Sequence, residues 1–198
     1  MSSHSELGLP ILSPIQKQRN KLLFGVQRSV HYHARRRQFF DRIGFVTSFL
    51  TVVSGGATVT VSIGAEPEHR IYTIVFGSLV ALFAALDLII GCSKTARDHN
   101  DLCRNFLGLQ REIVLAGNEI TDKQLNEFVA KRLEIEEEEP PKLRVLDILC
   151  HNELIKASGK NIGHMVEVGK FQRILADVLD ISADKLEKSM HKKSGQEA

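Results

Sequence analysis

The sequence predicts an all-α membrane protein: an antiparallel two-helix transmembrane hairpin whose long N- and C-terminal cytosolic helices form a helical bundle. Three observations point there. Ile43–Gly64 contains no charged residue, and Ile71–Cys92 contains one, Asp87. A helix of about 20 apolar residues crosses the ~30 Å hydrocarbon core of a bilayer. The connector Ala65–Arg70 is too short for anything but an antiparallel return. The flanks, finally, carry apolar residues at helical spacing and show no strand-like alternation. Overall composition masks this pattern. At 25% charged and 43% hydrophobic residues, the averages resemble a soluble protein because the apolar residues are concentrated in two runs.

Taken in order, residues 1–14 read as a flexible tail and 15–42 as a basic pre-span helix, with Leu22, Val26 and Val30 recurring at i+4. Residues 43–64 form transmembrane helix 1, 65–70 an external turn and 71–92 transmembrane helix 2. Residues 93–198 form a cytosolic helical region. There, Cys92, Thr95, His99, Leu102, Phe106, Leu109 and Ile113 make a heptad-like stripe that should pack along a partner helix. Gly117-Asn118 ends that helix. Thr121 through Gln124 reads as a capping box for a helix carrying Leu125, Phe128, Val129 and Leu133. The run Glu134–Glu139 is expected to be a solvated face or linker, with cation binding as the alternative, and Pro140-Pro141 stops it. Lys142–Ala157 is a further amphipathic helix with Leu143, Leu146, Leu149 and Ile155. Gly159–Gly163 reads as a loop, and Val168, Phe171, Leu175 and Val178 mark another helix. Asp180–Ser182 caps a short last helix, and Lys192–Ala198 reads as frayed.

Charge sets the orientation. Arg28, Arg35, Arg36, Arg37 and Arg42 precede the first run, and Lys94 and Arg97 follow the second. Lys and Arg collect on the cytoplasmic side of membrane helices, so both termini are expected in the cytoplasm. The basic flank is a generic one in contact with the lipid bilayer, and without interleaved aromatics it gives no reason to expect nucleic acid. Met1–Asn20 does not read as a signal peptide, so the first span is expected to act as its own insertion signal. Cys92, Cys103 and Cys150 are scattered, which predicts reduced thiols and no structural metal.

The two spans have distinct faces. In the first, Gly44, Thr47, Thr51, Ser54, Gly55, Thr58 and Ser62 fall within an arc of about 100°, while Phe45, Phe49, Val52 and Val53 lie elsewhere. Such a stripe serves either as a helix–helix interface or as a pore lining. In the second, Gly77, Ala81 and Ala85 form a small-xxx-small packing pattern. Asp87 projects roughly 110° from the centre of that stripe. It either reaches the interface, pairs with an Arg such as Arg42, or forms an acidic ring at the inner mouth of a pore.

Catalysis finds little support. His31 and His33, at i and i+2, share no helix face, Asp98 and His99 point apart, and His99 lies on the apolar stripe as a buried, hydrogen-bonded histidine. No phosphate loop, nucleophile elbow or pair of carboxylates is evident. An enzyme is not expected, nor a cofactor.

The arrangement resembles the SLATT family of two-span effectors. The resemblance rests on His31 through Arg37, the short connector, the post-span motif with His99, Leu102 and Phe106, and a segment from Leu146 to Glu153. It implies an oligomeric pore in the bacterial inner membrane, part of an anti-phage conflict system. A nucleotide-sensing or nucleotide-synthesising partner would trigger it. The alternative is a non-conducting membrane anchor or scaffold that recruits a cytosolic partner through its helices.

Overall fold

A computed structural model describes residues 13–63, 70–159 and 165–178. Every regular element among them is a helix. Helix α1 (Pro14–Ile63) runs unbroken for 50 residues. Its start is a reciprocal cap: the Gln16 amide donates to Ser13 Oγ at 3.2 Å and the Ser13 amide to Gln16 Oε1 at 3.0 Å. Pro14 follows in the first helical position, where its missing N–H costs nothing. Pro14 therefore belongs to the helix rather than to the tail, whose residues 1–12 lie outside the described set, as does the turn at 64–69.

Helices α2 (Arg70–Ile90) and α3 (Cys92–Leu115) are separated by Gly91 alone, which adopts a left-handed conformation with φ 58° and ψ 43°. Gly117, φ 75°, closes α3. Helix α4 (Asp122–Glu137) opens on the Thr121–Gln124 capping box and stops before Pro140-Pro141. Helix α5 (Arg144–Ala157) begins two residues later than its apolar pattern suggests. Helix α6 (Lys170–Leu175) is shorter than the Val168–Val178 periodicity predicts. The reason is local. The Val166 amide donates to Asn152 Oδ1 at 2.9 Å, and Asn152 Nδ2 donates to the Val166 carbonyl at 2.7 Å. This pairing holds the preceding chain extended, so the helix starts only after Gly169. Residues 160–164 and the expected cap at Asp180–Ser182 and frayed end at Lys192–Ala198 lie outside the described residues.

The first half of α1 is the spine of the buried core. Leu22 and Val26 meet Phe106, Leu109 and Ile113 of α3, together with Ile120 and Leu125. Tyr32 meets Val145, Leu146, Leu149 and Cys150 of α5, and Ala176. Two arginines of this half find partners across the core. Arg19 Nη2 donates to the Ile113 carbonyl at 3.1 Å, one of the orphan acceptors at the end of α3. Arg28 pairs with Asp147 at 3.3 Å.

The second half of α1 and all of α2 follow the opposite rule. None of the residues of α2 is buried, and in this half of α1 only Ser54 is. Phe45 is 72% exposed and Leu88 85%. Both helices are long and apolar enough to cross a membrane. They pack side by side with opposed direction: Gly44 lies beside Cys92, Thr51 shares a groove with Asp87, and Gly55 lies beside Val80.

Candidate functional site

The Gly/Ser/Thr stripe of α1 is the face turned toward its neighbours. Gly44, Thr47, Thr51, Gly55 and Thr58 are half-buried and Ser54 is buried, whereas Ser62 is exposed. The hydroxyls of Thr47, Thr51, Thr58 and Ser62 each donate to a carbonyl of their own helix: Ile43, Thr47, Ser54 and Thr58, at 3.0, 2.8, 2.8 and 2.7 Å. They need no partner on another helix, and their lone pairs remain available.

On α2 the contact face is made of larger side chains. Thr73, Phe76, Val80 and Phe83 are half-buried together with Gly77, while Ala81 and Ala85 are exposed. Small residues on α1 receive large ones from α2, as close packing of two surfaces requires. Ala81 and Ala85 are left facing outward.

Asp87 follows Thr73, Val80 and Ala84 around α2 and borders a groove of about 420 Å³ shared with Ser48, Thr51 and Val52 of α1. Its side chain is exposed. Among the described residues the Asp87 carboxylate makes no hydrogen bond or ion pair, and Arg42 does not reach it. A carboxylate and two hydroxyl-bearing residues thus meet on an otherwise apolar surface.

A second polar cluster lies at the base of this helix pair. His33 is fully buried and His99 is 3% exposed. Their Nδ1 atoms lie 3.0 Å apart, and His33 Nε2 lies 2.9 Å from Glu139 Oε1. Glu139 Oε2 also takes Lys142 Nζ at 2.6 Å. His33 stacks on Phe106 and Phe40 stacks on His99, at centroid distances of 5.6 and 5.8 Å. The Arg36 guanidinium sits 4.7 Å above the Phe40 ring. Tyr32 Oη accepts from the Leu143 amide at 2.9 Å. Leu102, 5% exposed, and Phe106 complete the apolar surround.

The chemistry of this pair is restrictive. His33 faces the Glu139 carboxylate through Nε2, which must carry the proton of that contact, and faces His99 through Nδ1. Two imidazolium rings would set two N–H donors head to head, so the contact holds one bridging proton. Burial, with His33 and Arg36 adjacent, pushes the His99 pKa down to about 4. Burial works against the Glu139 carboxylate, but its bonds to His33 and Lys142 outweigh that and hold it below the usual range. The cluster ties α1, α3 and the α4–α5 connection together through one side chain, His33.

Glu139 corrects the reading of the acidic run. Its side chain is only 6% exposed, because Pro140-Pro141 turns the chain inward and His33 offers a donor. His33 carries a signal that sequence reasoning missed: it extends the Leu22–Val26–Ser29 spacing of the buried face of α1. No ligand set for a metal is found among the described residues. Cys150 is buried, which pushes its thiol up to about 12.

The chain matches no known family, no curated protein and no solved structure.

Proposed function

We propose that the protein is an oligomeric, pore-forming membrane effector of the SLATT type. It spans the bacterial inner membrane with α1 and α2 and keeps both termini in the cytoplasm. A partner that senses or synthesises a nucleotide signal triggers it as part of an anti-phage conflict system. One observation carries this reading: the exposed, unpartnered Asp87 carboxylate beside Ser48 and Thr51 in the α1–α2 groove. In hydrocarbon such a group costs about 3 kcal/mol at the span centre and less toward the edge. Copies of the chain that close their grooves around water would hydrate it, and a ring of such carboxylates favours cations. The cytosolic helices hold the oligomer and receive the signal.

The test is planar-bilayer conductance of the assembled, activated protein. Asp87→Asn is expected to reduce cation selectivity, and Thr51→Leu to narrow or close the path. A stable monomer in detergent, or no current from the activated assembly, overturns the pore. The half-buried hydroxyl stripe favours one second reading, a non-conducting anchor whose helices recruit a cytosolic partner. In that case Asp87→Asn and Thr51→Leu leave partner recruitment unchanged and no current exists to lose.

A further inference from the structure

A groove of about 410 Å³ runs along the side of α1 below the apolar pair. It is lined by His31, Arg35, Gln38 and Arg42 of α1, Glu153 of α5, and Asp177 just past α6. Its volume is within the range of ligand sites. It is polar, and its charges are ordered. Arg42 stands at the top, next to Ile43, where the uncharged run begins. Gln38 lies one turn lower on the same face, and Arg35 and His31 lie lower still.

At the lower end Arg35 is saturated. Its Nε donates to Asp177 at 3.2 Å and its Nη1 to Glu153 at 3.1 Å. Asp177 is pinned further, because Arg36 Nη1 donates to its carbonyl at 2.6 Å. Glu153 gives only one oxygen to Arg35 and is 56% exposed at the side chain. Arg42 makes no ion pair among the described residues and is exposed. The groove therefore offers an uncommitted cation at the bilayer edge, an amide donor below it and an uncommitted carboxylate oxygen at the far end.

We propose that this groove binds the headgroup of a zwitterionic aminophospholipid of the inner leaflet. The headgroup carries charge in the same order. Its phosphate lies next to the glycerol and acyl chains, within reach of Arg42 and Gln38. Its ammonium lies farther from the hydrocarbon, toward Glu153. A choline headgroup has no N–H to give the carboxylate, and a glycerol headgroup has no cation. The site would discriminate among phospholipids by hydrogen bonding rather than by net charge, because Arg35 and Arg42 balance Asp177 and Glu153. The proposal rests on α1 and α2 lying in a bilayer and is independent of conduction.

Native mass spectrometry of the full chain, released from vesicles of defined composition, tests this without a current measurement. The vesicles hold phosphatidylcholine alone, phosphatidylcholine with phosphatidylethanolamine, or phosphatidylcholine with phosphatidylglycerol. Ethanolamine lipid is expected to be retained about tenfold over choline lipid, the ratio that one charge-assisted hydrogen bond supplies. Glu153→Gln should remove most of that preference and Arg42→Gln should lower retention of all three lipids together, while Lys131→Gln on α4 leaves both unchanged. Equal retention of the three lipids overturns the proposal. So does preference for phosphatidylglycerol, which would mark a plain basic band. Displacement of bound lipid by millimolar soluble phosphoethanolamine also overturns it, because the ligand would then be a free small molecule. Weaker retention of all three lipids in Gln38→Leu, with helicity by circular dichroism unchanged, supports the amide's place in the site.

Discussion

One helix obeys two opposite rules. From Arg19 to His33, α1 buries polar side chains and pairs the end members, Arg19 with the Ile113 carbonyl and His33 with Glu139. From Phe45 to Ile63 it exposes its largest apolar side chains and turns Thr47, Thr51, Ser54 and Thr58 inward. The first half packs as a chain in water does, with burial following hydrophobicity. The second half is stable only where its surroundings are as apolar as its surface. Neither half differs in backbone; the solvent each is built for sets which face turns in.

The contrast can be broken most directly with two phenylalanines. Phe106 is fully buried in α3, and Phe106→Ala should cost about 3–5 kcal/mol of unfolding free energy. Phe49 is 57% exposed, and Phe49→Ala should change the stability of dispersed monomer by only about 0.5 kcal/mol. Thermal melts in mild detergent compare them, and equal losses would erase the distinction. If Phe49→Ala instead matters only at concentrations where copies associate, that face is an interface between copies.

The buried histidine pair sharpens the same contrast through pH. Unfolded His99 titrates near its ordinary value of about 6.5. Folded, it is held down to about 4. Between those values the unfolded chain binds more protons, so stability rises with pH. The contribution is fully present above about pH 6.5 and is lost as pH falls toward 4, on the order of 3 kcal/mol in all. The melting temperature of the wild type should fall over that window. His99→Phe should flatten the fall, and a slope unchanged by the substitution would remove His99 as its source.

Gly91 gives a smaller effect than either buried site. A Cβ there would meet no atom within 4 Å, but φ is 58°. Gly91→Ala should therefore cost about 1–2 kcal/mol through backbone conformation alone. If the melt shows no loss, the left-handed residue is not retained in solution.

Much of the helix content was legible because the relevant signals are local. Uncharged runs, the Thr121 capping box and the Cys92–Ile113 stripe each depend on neighbours a few residues away. The site residues were less so. The contact between His33 and His99 spans a fold that brings α1 back against α3, and an i, i+2 test on His31 and His33 could not find it. Glu139 sat in a run whose other glutamates are exposed or half-buried, and only its position before two prolines set it apart. Ala81 and Ala85 show the complementary limit. Periodicity gives a face, but the partner's bulk decides whether small or large residues meet it.

Gly91 has one more consequence. Helices α2 and α3 would otherwise form a single 46-residue rod, and a rigid rod passes any twist at one end to the other. A lone left-handed residue interrupts the screw, so the phase of α3 about its own axis is set separately from that of α2. The buried histidine cluster fixes the first, and the packing against α1 fixes the second. Gly91 uncouples two shafts: α3 can turn by a fraction of a turn while Asp87, one turn above Gly91, keeps its place on the α1–α2 groove.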